Sequence, residues 1–140
     1  MNKETELMLI KTALEYRKHS YSPYSHFKVG AALLGKNGRV FGGCNIENAG
    51  YSSTNCAERT AFFKAVSEGT REFEAIAIVG GAGEEPSALC APCGVCRQVM
   101  AEFCKADEFS IIMAVNEENY EVHTLAELLP YGFGPANLDT

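Results

Sequence analysis

Residues 75–97 read AIAIVGGAGEEPSALCAPCGVCR, and this stretch decides the fold. Its first five residues, Ala75 to Val79, are all apolar, which is typical of a central strand covered on both faces. The glycine-rich, acidic segment Gly80 to Pro86 connects this strand to a helix that we predict to begin at Pro92, because proline is favoured at the first helical position. A buried strand followed by a helix favours an α/β protein.

The segments on either side complete a mixed sheet. We predict helices at 3–17, 55–68, 92–104 and 124–129, and strands at 27–34, 39–46, 75–79, 110–115 and 120–123. The connection Lys36-Asn37-Gly38 contains Asn-Gly, a strong hairpin signal that predicts positive φ at both central turn residues. Few residues separate the last two strands, so these must be antiparallel. The prediction is a three-layer α-β-α fold with a mixed sheet of about five strands, in a single domain spanning residues 1–140.

Composition and charge exclude several functional classes. The chain of 140 residues is 46% hydrophobic and 21% charged, which is typical of a globular domain. Its formal net charge of −6 disfavours a nucleic acid polymer as partner, because phosphate binding needs a basic patch. No apolar run is long enough to span a membrane, and the first residues do not resemble a secretory signal. We therefore expect a cytoplasmic protein with reduced cysteines that binds a small molecule.

Three cysteines in two short motifs predict a zinc centre. Cys93 and Cys96 lie one turn apart at the start of the predicted third helix, where free N–H groups and positive potential favour thiolates. Cys56, in Asn55-Cys56-Ala57-Glu58-Arg59, supplies a third thiol at the start of the second helix. Three protein ligands leave one coordination position open, and an open position is typical of catalytic zinc.

Cys90 keeps a second interpretation open. It lies three residues before Cys93 and could close a four-thiolate structural site in a non-catalytic module. It also precedes Pro92, so it lies outside the predicted helix and need not point the same way. The remaining cysteines, Cys44 and Cys104, are predicted to be core residues. The histidines show no partner at ligand spacing: His19, His26 and His123.

Glu58 distinguishes a catalytic from a structural centre. It shares a helical face with apolar Phe62 and Ala65, and an ionised carboxylate seldom lies on a buried stripe without a positive partner. A zinc ion held by Cys56 would be that partner, and Glu58 could then carry protons for a water activated by the metal. The alternative is a capping box with Asn55, in which Glu58 only satisfies the helix end.

The centre also needs hydrogen-bond donors to its sulfurs. Three thiolates around Zn²⁺ leave a net charge of −1, which weakens the ability of the metal to acidify water. Arg59 is the preferred donor because it is the arginine closest in sequence to Cys56, and Arg97 or Gln98 could act in the same way.

Cys-Ala-Glu followed by Pro-Cys-x-x-Cys resembles the zinc-dependent cytidine deaminase superfamily. Nearly the whole chain resembles the small homotetrameric cytidine deaminases of nucleoside salvage. The matching segments are residues 21–25 (YSPYS), 27–33 (FKVGAAL), 43–48 (GCNIEN), 55–61 (NCAERTA), 92–98 (PCGVCRQ) and 128–130 (LLP).

This resemblance implies the zinc-dependent hydrolysis of cytidine and 2′-deoxycytidine to the uridines, with release of ammonia. It implies one Zn²⁺ per subunit on Cys56, Cys93 and Cys96, with Glu58 as the catalytic proton carrier. It also implies that Arg59 donates a hydrogen bond to the zinc thiolates. The implied substrate contacts are Phe27 at the base, Asn45 and Glu47 at the ribose 3′-hydroxyl, the Ala57 backbone at the pyrimidine, Ala49 and Tyr51 from a neighbouring subunit, and Phe133 from another.

Two rivals remain within the superfamily. Deaminases of another cytosine nucleoside, such as blasticidin, are disfavoured by the Asn45/Glu47 pair. Deaminases of tRNA or single-stranded DNA fit poorly, because the chain is acidic, its last strands form a hairpin and its first zinc ligand is Cys rather than His. Gly50 replaces the alanine that the resemblance predicts, which could loosen the loop between subunits.

Overall fold

The sheet has five strands in the order β2-β1-β3-β4-β5. A computed structural model describes residues 1–138. Its helices and strands are α1 (Lys3–Arg17), β1 (Lys28–Gly35), β2 (Val40–Cys44), α2 (Ala57–Ser67), β3 (Phe73–Gly81), α3 (Gly94–Phe103), β4 (Ser110–Ala114), β5 (Tyr120–Thr124) and α4 (Leu125–Leu128). Strands β3 and β4 are parallel, and the other neighbouring pairs are antiparallel. The predicted α/β fold with an antiparallel final pair is therefore confirmed.

Two hydrophobic clusters cover the two faces of the sheet. Helix α1 packs Leu9, Ile10 and Ala13 against one face. On the opposite face, α2 and α3 contribute Phe62 and Met100 to the second cluster. The sheet is thus covered by helices on both sides, as predicted, and α2 and α3 lie together on one side. The single domain over residues 1–140 stays a prediction, and its last two residues lie outside the described part of the chain.

Gly43 lets helix α2 approach the sheet closely. A Cβ atom at this position would lie 2.6 Å from the backbone oxygen of Ala57 and 2.7 Å from the backbone nitrogen of Ala61. This close approach occurs within an unbroken β1–β2 register, so β2 has no bulge at Gly43. The absence of a side chain at Gly43 therefore fixes the start of α2.

Both site helices begin two residues later than the sequence predicts. Helix α2 begins at Ala57 and α3 at Gly94, and the residues before them, Cys56 and Cys93, are N-caps with extended backbones. Pro92 tolerates this position because its fixed φ also suits an extended chain. The proposed capping box is wrong, since the Asn55 side chain donates to Thr60 Oγ1 at 3.3 Å and Cys56 is the N-cap.

The turn between β1 and β2 also differs from the prediction. Gly38 has a φ of +87°, whereas Asn37 does not have positive φ. Gly38 N–H donates to the oxygen of Gly35, and Gly35 N–H donates to the oxygen of Arg39. The connection is therefore a three-residue loop with one left-handed glycine, instead of a turn with two positive φ angles.

Arg17, at the end of α1, clamps the connection between β3 and α3. Its guanidinium is buried and donates to the backbone oxygens of Lys28, Gly81, Gly83 and Glu84, at 2.6–3.1 Å. Burial lowers the pKa of Arg17, and the nearby Glu85 opposes this shift. The sequence analysis did not anticipate this role. As for membranes, none of the helices within residues 1–138 has the length and apolar character needed to cross one.

Candidate active site

Three thiols converge where α2 and α3 begin. The sulfur atoms of Cys56, Cys93 and Cys96 all lie within 4.8 Å of one another. Cys56 Sγ is 3.7 Å from Cys93 Sγ, which is 3.4 Å from Cys96 Sγ. A tetrahedral zinc ion with Zn–S bonds of about 2.3 Å separates its sulfur ligands by about 3.8 Å. The three thiols therefore fit Zn²⁺, with a fourth coordination position left for a non-protein ligand.

The two helix starts explain why the thiols meet. Cys56 and Cys93 are the N-caps of α2 and α3, and Cys96 lies in the first turn of α3. Neither N-cap side chain accepts a capping hydrogen bond from a backbone N–H of its own helix, so both sulfurs are free to face the centre. The unpaired N–H groups of a helix start carry positive potential, which stabilises thiolate charge.

Cys90 does not join this group. Among residues 1–138, the group of ligand atoms close enough to hold a metal consists of the three thiols above. Burial raises the pKa of Cys90 to about 11, with smaller contributions from Glu58 and the nearby thiols. The four-thiolate structural site is therefore contradicted. Cys44 is buried, as predicted, and Cys104 packs partly buried against the core.

Glu58 lies on the buried side of α2, immediately beside the thiols. Only 4% of its surface is exposed, and Phe62 and Ala65 on the same helical face are fully buried. This confirms the predicted position of an acidic residue on an apolar stripe. Burial raises the pKa of Glu58 to about 7, and the Cys56 thiolate adds to the shift. A carboxyl group with a pKa near neutrality can both accept and donate protons.

Arg59 stabilises charge on the first ligand. Its Nη2 donates to Cys56 Sγ at 3.2 Å. Hydrogen bonds from the Cys96 thiol and from Arg59 lower the pKa of Cys56 to about 5, against the effect of burial. The hydrogen bond to Cys56 and burial raise the pKa of Cys96. The contact predicted for Arg59 from its position in sequence is thus present in the structure.

A cleft of about 340 Å³ opens above the thiols and Glu58. Its lining residues are Ser25, Phe27, Val29, Asn45, Glu47, Thr54, Asn55, Cys56, Ala57, Glu58, Cys90, Ala91 and Cys93. The structure therefore brings together four predicted substrate contacts, the predicted proton carrier and two of the three predicted metal ligands. Ala49, Tyr51 and Phe133 do not line this cleft; all three are exposed elsewhere on the same chain.

A family model described as "Cytidine and deoxycytidylate deaminase zinc-binding region" matches residues 3–121. This chain belongs to that deaminase family. A cytidine deaminase of Halalkalibacterium halodurans is 52% identical over 126 residues, covering 90% of this chain and 92% of the relative. One from Sporosarcina psychrophila is 49% identical over 130 residues, covering 93% of this chain and 92% of the relative.

Solved structures of cytidine deaminases share the fold. The crystal structure of the Burkholderia pseudomallei protein superposes with a TM-score of 0.83 at 45% identity, covering 95% of this chain and all of the other. The Mycobacterium tuberculosis protein gives a TM-score of 0.77 at 39% identity, covering 91% of this chain and 95% of the other. The zinc-binding description of the family agrees with the three thiols and with their geometry.

In this deaminase family member, Asn45 joins the end of β2 to the start of β1. Its Oδ1 accepts from Val29 N–H at 2.9 Å and from the Ser20 hydroxyl at 2.5 Å, and its Nδ2 donates to the oxygen of Phe27 at 2.7 Å. One Nδ2 hydrogen remains for a ligand. Asn45 therefore holds the backbone of Phe27 while it lines the cleft.

Sequence reasoning missed several lining residues, among them Ser25 and Thr54. Ser25 lies in the matching segment 21–25, but its residue type alone indicates no role. Thr54 follows a short 3₁₀ helix, Tyr51–Ser53, and its hydroxyl accepts from Asn48 N–H at 3.2 Å. No local pattern in the sequence predicts that this loop closes one side of the cleft.

Proposed function

We propose that this chain catalyses the hydrolytic deamination of cytidine and 2′-deoxycytidine to uridine and 2′-deoxyuridine, with release of ammonia, in pyrimidine salvage. The observation that carries this proposal is the buried Glu58 carboxyl group beside three convergent thiols in one cleft. The cleft volume of about 340 Å³ suits a small molecule such as a nucleoside. The curated relatives named cytidine deaminase support the same substrate class.

The three thiols and Arg59 define the metal site of the proposed enzyme. Cys56, Cys93 and Cys96 would hold one Zn²⁺ ion, which supplies Lewis acidity and makes a water molecule nucleophilic near neutral pH. Arg59 donates to Cys56 Sγ and so offsets part of the negative charge of three thiolates. The helix N-termini beneath Cys56 and Cys93 act in the same direction.

Glu58 moves the protons. It accepts a proton from the attacking water and delivers it to N3 of the pyrimidine ring, which makes C4 electrophilic. After the attack on C4, Glu58 carries a second proton to the departing amino group, which leaves as ammonia. A raised pKa suits a group that must accept and then donate at the same pH.

The remaining cleft residues orient the nucleoside. Phe27 would face the base, and Asn45 and Glu47 would hold the ribose 3′-hydroxyl. Ala57 is the first residue of α2, so its backbone N–H has no partner within the helix and can face the pyrimidine. This arrangement is supported by the common position of these four residues in one cleft.

The oligomer belongs to the same proposal. Tyr51 is 78% exposed and Phe133 is 55% exposed, and neither side chain lines the cleft of its own chain. We infer that they and Ala49 complete the clefts of neighbouring subunits in a homotetramer. We place this enzyme in the cytoplasm, acting on free nucleosides, with no nucleic acid polymer or membrane as partner.

The variant Glu58→Gln tests the proposed function. The amide keeps the shape of the side chain but cannot carry the proton, so turnover of cytidine should fall by roughly 10²–10⁴-fold. Zinc content and melting temperature should stay close to those of the parent. Loss of cytidine absorbance measures the rate, with and without a zinc chelator.

Glu102→Gln is the matched control, because Glu102 is an exposed glutamate on α3. It should keep the parent rate, and the chelator should abolish activity in both active proteins until zinc is restored. Near-normal turnover by Glu58→Gln would contradict the role of Glu58. A zinc-loaded parent that leaves cytidine unchanged would contradict the proposed function itself.

A further inference from the structure

The hydroxyl group of Ser25 lies between two predicted substrate contacts. Phe27 N–H donates to Ser25 Oγ at 3.0 Å, and Ser25 Oγ–H donates to Glu47 Oε2. A serine hydroxyl has one proton to donate. Because the Phe27 N–H occupies an acceptor position on Oγ, that proton is directed to the Glu47 carboxylate.

The contacts of Glu47 leave its two oxygens unequal. Oε1 accepts from the backbone N–H groups of Tyr24 at 3.0 Å and Ser25 at 3.1 Å. A carboxylate oxygen has about two acceptor positions, so Oε1 is saturated. Oε2 accepts from the Ser25 hydroxyl and keeps one position free. Both Ser25 and Glu47 line the cleft.

We propose that Ser25 is a positioning residue, which orients Glu47 so that Oε2 presents one acceptor position to a sugar hydroxyl of the substrate. This inference rests on the proposed function, because it gives Glu47 the ribose 3′-hydroxyl as its ligand. Without the Ser25 hydroxyl, the carboxylate keeps its Oε1 contacts but loses the contact that orders Oε2. The Ser25 hydroxyl also contributes most to lowering the pKa of Glu47, which keeps it an acceptor.

The test measures nucleoside binding apart from turnover. Uridine, the proposed product, and 3′-deoxyuridine, which lacks the 3′-hydroxyl, are titrated calorimetrically into the zinc-loaded protein. We expect Ser25→Ala to weaken uridine binding by about tenfold, because the Glu47 carboxylate then loses conformational entropy when the ligand binds. Binding of 3′-deoxyuridine should change less than about twofold. In turnover, KM for cytidine should rise while kcat stays nearly constant.

Two further variants serve as controls. Ser25→Thr keeps the hydroxyl and should bind uridine within about threefold of the parent. Ser67→Ala removes an exposed hydroxyl that bonds Lys64 O at the end of α2, and it should bind both ligands as the parent does. Thermal melts of every variant confirm that the chain is folded.

A double-variant cycle separates positioning from other effects. If Ser25 acts through Glu47, then adding Ser25→Ala to Glu47→Gln should weaken uridine binding by less than about threefold. Full additivity would overturn the inference. So would a Ser25→Ala variant that binds uridine normally, or one that loses affinity equally for both ligands. If the parent binds neither nucleoside nor deaminates cytidine, the proposed function falls, and this inference falls with it.

Discussion

Arg59 is the positively charged residue that contacts the proposed zinc ligand Cys56. Its Nη2 contacts Cys56 Sγ, and its Nε is a buried side-chain nitrogen without a hydrogen-bond partner in the described chain. A guanidinium that is incompletely paired by protein groups is well placed to respond to the negative charge of three thiolates. The contact with Cys56 raises the pKa of Arg59, so it stays charged.

Replacing Arg59 should therefore weaken zinc binding. Arg59→Gln removes the charge-assisted hydrogen bond to Cys56, and loss of such a supporting contact costs roughly 10–100-fold in metal affinity. Competition with a chromophoric chelator measures the affinity. The control is Arg71→Gln, since Arg71 is exposed and lies away from the thiols. Equal zinc affinity in both variants would show that Arg59 is only a structural residue.

At the residue scale, spacing predicted that the three thiols converge and that Glu58 is buried, because both features depend on local helical geometry. Cys93 and Cys96 share a helix turn, and Glu58 shares a face with Phe62. Asn45 and Glu47 followed only from the family resemblance, since their residue types are common at the ends of strands. Ser25 could not be predicted, because its role depends on a loop that brings it to Glu47, 22 residues away in sequence.

At the scale of single elements, the start of α2 carries both Cys56, a proposed metal ligand, and Glu58, the proposed proton carrier. The helix lies against Gly43 so closely that a methyl group there would meet its backbone. Cys56 and Glu58 move with this first turn. A shift of the helix start would therefore move both side chains relative to the cleft.

Gly43→Ala should lower activity by more than its loss of unfolding free energy alone would explain. The added methyl group forces α2 outward, and overpacking of this kind costs about 1–3 kcal/mol of unfolding free energy. We expect zinc content and kcat for cytidine to fall together in protein that is still folded. Gly83→Ala is the control, because its nearest neighbour would be at an ordinary 3.6 Å. A Gly43→Ala enzyme with parent kcat would show that the close approach does not fix the site.

A second element-scale feature is the histidine that joins β5 to α4. His123 Nε2 lies 2.9 Å from Glu121, and its Nδ1 lies 3.3 Å from Glu127, the glutamate of the α4 capping box. Hydrogen bonds to Glu121 and then to Glu127 raise the pKa of His123 above its ordinary 6.5. The protonated imidazole is thus favoured in the folded chain.

The stabilisation from His123 should depend on pH. The pKa of His123 is higher in the folded chain than in the unfolded chain. Its stabilisation of the folded chain is therefore fully present below the unfolded pKa and is lost as pH rises through the folded pKa. We expect His123→Gln to lower the melting temperature more at about pH 5 than at about pH 9. If the difference in melting temperature between parent and variant is the same at both pH values, the charge of His123 does not contribute to stability.

Helix starts were the least accurate part of the element predictions. Asn55 and Pro92 are strong starting signals, yet both helices begin two residues later. Local sequence patterns do not show that Cys56 and Cys93 have extended backbones and that their sulfurs lie 3.7 Å apart. The sequence predicted the pairing only of the two hairpins, β1–β2 and β4–β5, because pairing between β1 and β3 joins residues 38 to 53 positions apart in the sequence.

At the scale of the whole molecule, the proposed tetramer predicts that two weakened variants restore one another. Glu58→Gln loses the proposed proton carrier, and Phe133→Ala loses a residue that would close the cleft of a neighbour. Mixed, refolded tetramers should regain up to about a quarter of the parent activity, since some clefts combine intact residues from two chains. Sedimentation should give a mass four times the 15.2 kDa chain.

Unmixed samples of the two variants, refolded in parallel, provide the baseline for this experiment. A mixture no more active than that baseline would show that each cleft is complete within one chain. A monomer in sedimentation would lead to the same conclusion by an independent route, and a dimer would contradict the proposed tetramer.

The guanidinium of Arg17 has a practical consequence for anyone who shortens this protein. Helix α1 contributes no side chain to the cleft, so trimming the first seventeen residues would look harmless on a map of the site. Yet the last of them, Arg17, lies across the ends of β1 and β3 and donates to four carbonyl groups around the segment that leads to Cys93 and Cys96. Removing Arg17 would expose those carbonyl oxygens to water and leave the segment before Cys93 less firmly held. The position of Cys93 therefore depends on the amino-terminal helix as well as on α3.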